Sequence, residues 1–142
     1  MAFQMYIGAN ADKFPPARYM PPPFISSDLD SPLPQVLESY IDKQNKVFQC
    51  TGDRNYVYSL CGSSFTYNNS LSGRQLDKTF FARRLNFNPS EIFVSYDCDG
   101  NTFSLEGGKQ ISVPYFHILR NLLFADWHVS NYQVEVHEDP NH

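Results

Sequence analysis

The chain has 142 residues, a formal net charge of -4 at pH 7 and an aromatic content of 15%, and these values exclude several classes of protein. The length fits one domain, and the aromatic side chains supply enough apolar area for a compact core. A mildly acidic chain has no overall field that attracts phosphate backbones, so binding of nucleic acid requires a local basic patch. No apolar run approaches the roughly 18 residues of a membrane span, so we expect no membrane partner.

The N-terminal residues and the cysteines together predict an intracellular protein. The first residues, MAFQMYIGANADK, lack the basic start and the apolar segment of a signal peptide. Cys50, Cys61 and Cys98 are odd in number and form no CxxC pair, which favours a reducing compartment. We therefore predict a location in the cytoplasm or the nucleus, and no secretion.

Residues 1–30 are predicted to form a proline-rich, extended arm ahead of the domain. Proline fixes φ and removes a backbone donor, so the prolines crowded into this region disfavour a helix or a central strand. Three interpretations stay open, namely an arm packed on the domain, a recognition peptide for an aromatic groove, and a plain linker. The packed arm is favoured because disordered tails rarely carry so many large apolar residues, here Phe14, Tyr19, Met20 and Phe24.

Residues 31–136 are predicted to form a compact domain that begins with a helix over residues 31–48. Ser31 can cap this helix, Pro32 suits its first turn, and the apolar residues that follow recur near the 3.6-residue period. Residues 47–50 and 56–60 are rich in strand-forming residues and flank a Thr-Gly-Asp turn, which predicts a hairpin. A further strand is predicted over residues 65–67.

The second half of the domain is predicted to add one helix and most of the sheet. The helix covers residues 72–85 with Ser72 as its cap, and a strand follows over residues 92–96. Asp99-Gly100 predicts a tight hairpin to a returning strand over residues 102–105, and residues 111–113 continue the sheet. Val134 and Val136 alternate with charged residues as in an edge strand, and residues 137–142 form a polar tail. The predicted fold is a single small α+β domain with a twisted antiparallel sheet and two or three helices.

Motifs for catalysis, metal binding and cofactor binding are missing from the sequence. His117 and His128 stand eleven residues apart, which does not match a helical pair of metal ligands. The sequence contains no phosphate loop, nucleophile elbow or dinucleotide fingerprint. We therefore predict no catalytic residue, no metal and no cofactor. Asp97 and Asp99 favour a turn at a solvated strand end, although a small hydrolase that uses these two with His117 remains an alternative.

A cluster of basic residues is the main candidate for binding an anion. Arg74, Lys78 and Arg84 fall at helical spacing, and Arg83 completes the only basic doublet. The phenylalanines between them, at positions 80, 81 and 87, are predicted to be core residues and not a stacking platform. The alternative function is therefore that of an RNA-associated domain. Its candidate contacts are Arg74, Lys78, Arg83, Arg84, His117 and Arg120.

Two short motifs lie in the second half of the chain. They are residues 88–96, NPSEIFVSY, and Val113-Pro114-Tyr115 with Ile118, and Trp127 follows them. They resemble the D-P-S-E-Y-x-V-G-Y, the I-P-x-H-R-I and the final tryptophan of a small domain family. This family is stand-alone in archaea and is joined in eukaryotes to RNA-processing modules such as cyclic phosphodiesterases and zinc fingers. Cys98-Asp99 and Phe116-His117 replace the family's D-R and H-R pairs. The resemblance, over residues 72–130, implies the family's fold and an RNA-linked setting.

The stretch PYFHILRNLLFADWHV carries more apolar residues than one buried element of a small domain needs. If residues 113–120 are a strand, both of its faces are largely apolar, and so a second layer must cover it. An apolar surface of this kind is typical of an interface. The leading prediction is therefore a non-catalytic protein-interaction module, a homodimer or part of an assembly. Its predicted interface residues are Phe14, Tyr19, Phe24, Tyr115, Phe116, Leu122, Leu123, Phe124 and Trp127.

Overall fold

The computed structural model describes residues 2–26, 30–41, 47–54, 56–117 and 119–133. Within these residues the chain forms short helices and antiparallel strands, which confirms the predicted α+β class. The helices are α1 (Ala2–Ala9), α2 (Leu33–Val36), α3 (Val57–Cys61) and α4 (Phe80–Arg83), with 3₁₀ turns at Glu38–Tyr40, Asn69–Leu71, Leu76–Lys78 and Pro89–Glu91. The strands are β1 (Phe65–Tyr67), β2 (Phe93–Asp97), β3 (Asn101–Ser104), β4 (Gln110–Val113), β5 (Leu119–Phe124) and β6 (Val129–Gln133).

The strands form two sheets, and this division corrects the predicted hairpin at Asp99-Gly100. One sheet has the order β1-β2-β5-β6, and the other contains only β3 and β4. The strand after Gly100 therefore does not return along β2. It pairs with β4 instead, through a turn at Gly107 and Gly108, which both adopt positive φ. β2 pairs with β1 and with β5. The sequence pattern did not predict β5 as a strand distinct from the apolar stretch around it.

The predicted hairpin over residues 47–60 is wrong because its second half is helix α3. The Asp53 carboxylate accepts hydrogen bonds from the backbone N–H groups of Tyr56, Val57 and Tyr58. These are donors that a helix start leaves without an intrahelical partner, so Asp53 stabilises a helix where β-propensity favours a strand. Gly62, at a φ of +87°, ends the helix in the left-handed conformation.

Both long helices that the sequence predicted are broken into short turns. After α2, Leu37 leaves the helical region and a 3₁₀ turn follows, with residues 42–46 outside the described chain. In the second region, Thr79 is extended and buried, and its hydroxyl donates to the carbonyl of Leu76, 2.7 Å away. A threonine that bonds its own preceding turn competes with helix continuation. Ser72 is not a cap, because its hydroxyl accepts from the N–H of Ala17 and donates to Asp30.

The N-terminal arm is packed on the domain, and it is not extended throughout, because residues 2–9 form α1. Phe14 and Ala17 belong to one buried cluster, and Met20 and Phe24 belong to the second. Isolated bridges connect Lys13 to Gln75 and Phe24 to Leu105. The first cluster contains Phe14, Ala17, Leu33, Leu37, Tyr67, Leu71, Ile92, Val94 and Ala125, and the second contains Met20, Phe24, Val57, Cys98, Leu105 and Val113.

Residues 113–120 do not form one strand. β4 ends at Val113, residues 114–117 are irregular, and β5 begins at Leu119. The predicted edge strand at Val134 and Val136 and the polar tail at 137–142 lie outside the described residues. None of the described helices has the length and apolarity that a membrane crossing requires.

Candidate functional site

Four of the predicted basic residues line one concave surface, which we call the basic surface. It encloses about 650 Å³. The residues that line it are Asn69, Ser70, Ser72, Arg74, Lys78, Thr79, Phe80, Arg83 and Arg84. The fold brings these four basic residues together, with short turns in place of the predicted long helix.

Backbone contacts fix the position of each basic residue on this surface. The carbonyl of Arg74 accepts from the N–H of Phe14, and the N–H of Arg74 donates to Leu71. The N–H groups of Arg83 and Arg84 donate to the carbonyls of Thr79 and Phe80. Because residues three and four apart lie on one side of a helical turn, Arg83 and Arg84 stand beside Phe80.

The electrostatics of the basic surface favour an anion. Arg74, Lys78, Arg83 and Arg84 are exposed, and within the described part of the chain none of them forms an ion pair. Among the described residues, Asp30 contacts the lining, because its carboxylate accepts from the Ser72 hydroxyl at 3.0 Å. Asp77 lines a different cavity together with Trp127. The four positive charges thus share one open concavity.

Phe80 is an exposed aromatic residue on the basic surface, which corrects its assignment to the core. Its side chain is 58% exposed, and its ring meets the Phe81 ring edge-on with 6.0 Å between centroids. Phe81 packs against the first buried cluster and stacks on Phe87, which is 37% exposed. The ring of Phe80 is thus held in place from one side and open to a ligand from the other.

The two other residues of the predicted RNA-binding set are placed elsewhere. His117 does not line the basic surface, and its Nε2 lies 2.9 Å from the Sγ of Cys50. Arg120 belongs to β5, at a register position opposite Tyr132. The fold therefore divides the predicted set of six into a group of four and two separate residues.

The predicted interface residues are also divided by the fold. Phe14, Phe24 and Phe124 are only 2%, 1% and 6% exposed, so these three lie in the interior and not at a surface for a partner. The rings of Phe14 and Trp127 are 6.2 Å apart, which places Trp127 against the packed arm. The half-buried members are Tyr19, Tyr115, Phe116, Leu122, Leu123 and Trp127.

A second concavity, which we call the apolar groove, lies over one face of the larger sheet. It encloses about 450 Å³, and Leu123 is the predicted interface residue that lines it. Val47 and Val129, at its margin, are 51% and 62% exposed. The other lining residues are Ala2, Phe3, Leu33, Leu37, Ile41, Phe48, Phe65, Ser95, Tyr96 and Asn121.

A buried polar network connects the loop before α3 with the loop before β5, and no sequence pattern indicates it. The Ser64 hydroxyl donates to Asp53 and accepts from the N–H of Cys50 at 3.0 Å. Cys50 in turn contacts His117, a residue 67 positions away. Burial raises the pKa of the Cys50 thiol, and the negative charges of Asp97 and Asp53 raise it further.

Asp97 and Asp99 are buried, which corrects the prediction of a solvated strand end. They are 1% and 2% exposed. Asp99 accepts from the N–H of Phe116 at 2.8 Å, and Asp97 accepts from the N–H of Asn121 at 3.3 Å. Asp99 therefore holds the backbone immediately before His117, and Asp97 holds the backbone within β5. Among the described residues, no group of three or more His, Cys, Asp and Glu side chains is arranged to hold a metal ion.

Comparison with known proteins adds no relative to this description. No protein-family model, curated protein or solved structure matches the chain. The resemblance of residues 72–130 to the RNA-linked family remains a prediction from the sequence.

Proposed function

We propose that the protein binds single-stranded nucleic acid, with RNA as the favoured ligand, on the basic surface. The observation that carries the proposal is the convergence of four exposed cations and an exposed phenylalanine ring on one concavity. Cationic side chains neutralise phosphates whatever the base sequence, and an aromatic ring adds a face on which a base stacks. No catalytic step is required of the protein in this function.

A single strand suits this surface better than a duplex. The bases of a duplex already stack on one another, whereas an unpaired base is free to stack on a protein ring. Phe80 offers such a ring, and Arg83 and Arg84 flank it at the distance of one helical turn. Asn69 and Ser70 add polar side chains along the same wall.

An RNA-linked, intracellular setting is consistent with two further observations. It is what the resemblance of residues 72–130 implies, and those residues include all four cations of the surface. The three cysteines are free thiols, as expected in a reducing compartment. We propose the cytoplasm or the nucleus as the setting of this function.

The test compares the salt dependence of binding between Arg83→Gln and Lys109→Gln. Both variants lose one positive charge, but the exposed Lys109 lies outside the basic surface. Binding of a labelled single-stranded RNA is followed by fluorescence anisotropy from about 50 to about 200 mM salt, and each phosphate contact contributes about -0.7 to the slope of log K against log salt. We expect Arg83→Gln to remove one such contribution and Lys109→Gln to leave the slope unchanged.

A second variant tests the role of the ring. Phe80→Ala should weaken binding of the oligonucleotide by the roughly 1–3 kcal/mol of one stacked base, with little change in the binding of inorganic polyphosphate. Absence of salt-dependent binding in the wild-type protein would overturn the proposal. Equal effects of the substitutions at Arg83 and Lys109 would do the same, because they would show that only net charge matters.

The apolar groove supports protein–protein contact as a second candidate function. Exposed apolar side chains at the margin of a concave apolar wall are typical of interaction sites. Val47 and Val129 have this position. Leu123, one of the predicted interface residues, also lines the groove. The occupant that we propose is a second copy of the chain, and sedimentation velocity is the measurement that tests it.

A further inference from the structure

Cys50 and His117 form a close pair of a nucleophile and a base, outside both the basic surface and the apolar groove. The distance between Sγ and Nε2 is 2.9 Å. A thiol within hydrogen-bond reach of an imidazole is the arrangement by which proteins activate a cysteine. The contact joins two loops that are 67 residues apart in the sequence, so it depends on the tertiary fold.

The surrounding backbone is built closely around this pair. A side chain at Gly52 would collide with the carbonyl of Phe116 and with Cε1 of His117, so only glycine permits the approach of the two loops. Ser64 holds the N–H of Cys50 from one side, and Asp99 holds the N–H of Phe116 from the other. Each member of the pair is therefore fixed by a hydrogen bond at its own or a neighbouring backbone position.

A small cavity lies between the loops that carry the pair, and neither Cys50 nor His117 is among its lining residues. It encloses about 250 Å³ and is lined by residues that follow Cys50 and precede His117. His117 is half-buried, so the imidazole is in reach of solvent, while Cys50 is 7% exposed. The lining residues are Gly52, Asp53, Arg54, Tyr56, Pro114, Tyr115 and Phe116.

The other two cysteines lie in different surroundings. The Cys61 thiol donates to the carbonyl of Ser63, which is no base, and burial raises its pKa to about 11. Cys98 is fully buried in the second cluster. Burial also raises the pKa of the Cys50 thiol, whose sulfur, unlike those of Cys61 and Cys98, lies within hydrogen-bond distance of Nε2 of His117.

We propose that Cys50 is a modification site that takes small, uncharged, soft electrophiles, with His117 as the base. In the reaction with iodoacetamide, the sulfur forms a bond to the methylene carbon and the carbon–iodine bond breaks. Iodide leaves, and the thiol proton passes to Nε2 of His117, from which solvent removes it. The electrophile must be small because the sulfur is nearly enclosed. The resulting thioether has no proton to donate, so modification also removes the hydrogen bond between the two loops.

The experiment measures alkylation of the three cysteines in the folded full-length protein by iodoacetamide and peptide mass spectrometry. Exposure alone predicts that Cys61, which is less buried, reacts before Cys50. Base assistance predicts the opposite order, since a general base contributes about 100-fold or more to such a step. We expect Cys50 to react first in the native protein and all three thiols to react alike in denaturant.

Two variants separate the role of a base from a structural role. His117→Gln keeps a hydrogen-bond acceptor and removes the base, so we expect the Cys50 rate to fall about 100-fold and the Cys61 rate to stay unchanged. His117→Ala leaves space for added imidazole, which should restore the Cys50 rate alone. The proposal is overturned if Cys50 reacts more slowly than Cys61 in the wild-type protein. It is also overturned if Cys50 in a folded His117→Gln variant reacts at the wild-type rate.

Discussion

At the scale of single residues, the buried carboxylate of Asp53 connects the start of α3 with Ser64 through several hydrogen bonds. It is 1% exposed, and it accepts from three backbone N–H groups at the start of α3 and from the Ser64 hydroxyl. A buried carboxylate is favourable only when such donors surround it. The Thr-Gly-Asp pattern predicted a turn at Asp53, and the structure has this turn. The pattern did not indicate the helix that starts after Asp53.

Substitution of Asp53 should therefore destabilise the whole domain. Asp53→Ala leaves several buried donors without an acceptor, and we expect the free energy of unfolding to fall by about 2–4 kcal/mol. Urea unfolding followed by the fluorescence of Trp127, the single tryptophan, measures this change. The matched control is Asp77→Ala, an exposed carboxylate for which we expect a change within about 0.5 kcal/mol. A similar small change at both positions would contradict the role assigned to Asp53.

At the scale of elements, the start of β3 depends on a close approach between Gly100 and Tyr115. Gly100 has a φ of +66°, and a side chain there would overlap the Tyr115 ring. Gly107, in the turn between β3 and β4, also has a positive φ, but no atom lies within 4 Å of the position of an added side chain. Both glycines thus require a positive φ, but only Gly100 also lacks space for a side chain.

This difference predicts unequal effects of the same substitution. Gly107→Ala should cost about 1–2 kcal/mol, which is the cost of positive φ for a residue with a side chain. Gly100→Ala adds overlap with the Tyr115 ring, and we expect a further loss of about 1–3 kcal/mol. Thermal and urea unfolding of the two variants measures the difference. Equal losses would show that the Tyr115 ring moves away without cost, and that it does not fix the loop before β5.

At the scale of the whole molecule, the arm and the sheet together decide which apolar surface stays exposed. The arm places Phe14 and Phe24 in the two buried clusters. These two residues, predicted to contact a partner, therefore pack inside the chain. The apolar groove stays open among the described residues, with Val129 at the start of the edge strand β6. We therefore expect the proposed self-association to use this groove and not the arm.

We expect the wild-type protein to associate in sedimentation velocity as its concentration is raised, and Val129→Asp to prevent this. A buried, unpaired charge at the groove is costly in an interface, whereas the exposed side chain tolerates it in the monomer. Leu60→Asp, which adds the same charge on α3 outside the groove, is the control and should associate as the wild-type protein does. A wild-type protein that stays monomeric at high concentration would reject self-association.

The sequence by itself determined the features that depend on neighbouring residues. Strands at residues 65–67 and 92–96 follow from local apolar patterns, and they are present as β1 and β2. The cations from Arg74 to Arg84 are close in the chain, and two short turns bring all four to one surface. A single long helix would have turned Arg83 to the side opposite Arg74, so local spacing predicted only part of this patch.

Only the tertiary structure decided the features that depend on distant contacts. Asp53 converts a β-rich run into a helix, the arm withdraws predicted interface residues into the core, and the fold turns Phe80 outward. The contact of Cys50 with His117 has no local signal, because its two loops are 67 residues apart in the chain and meet only in the tertiary fold. A pattern along the chain records what adjacent residues prefer, whereas the partner of a side chain is chosen by the packing of the entire domain.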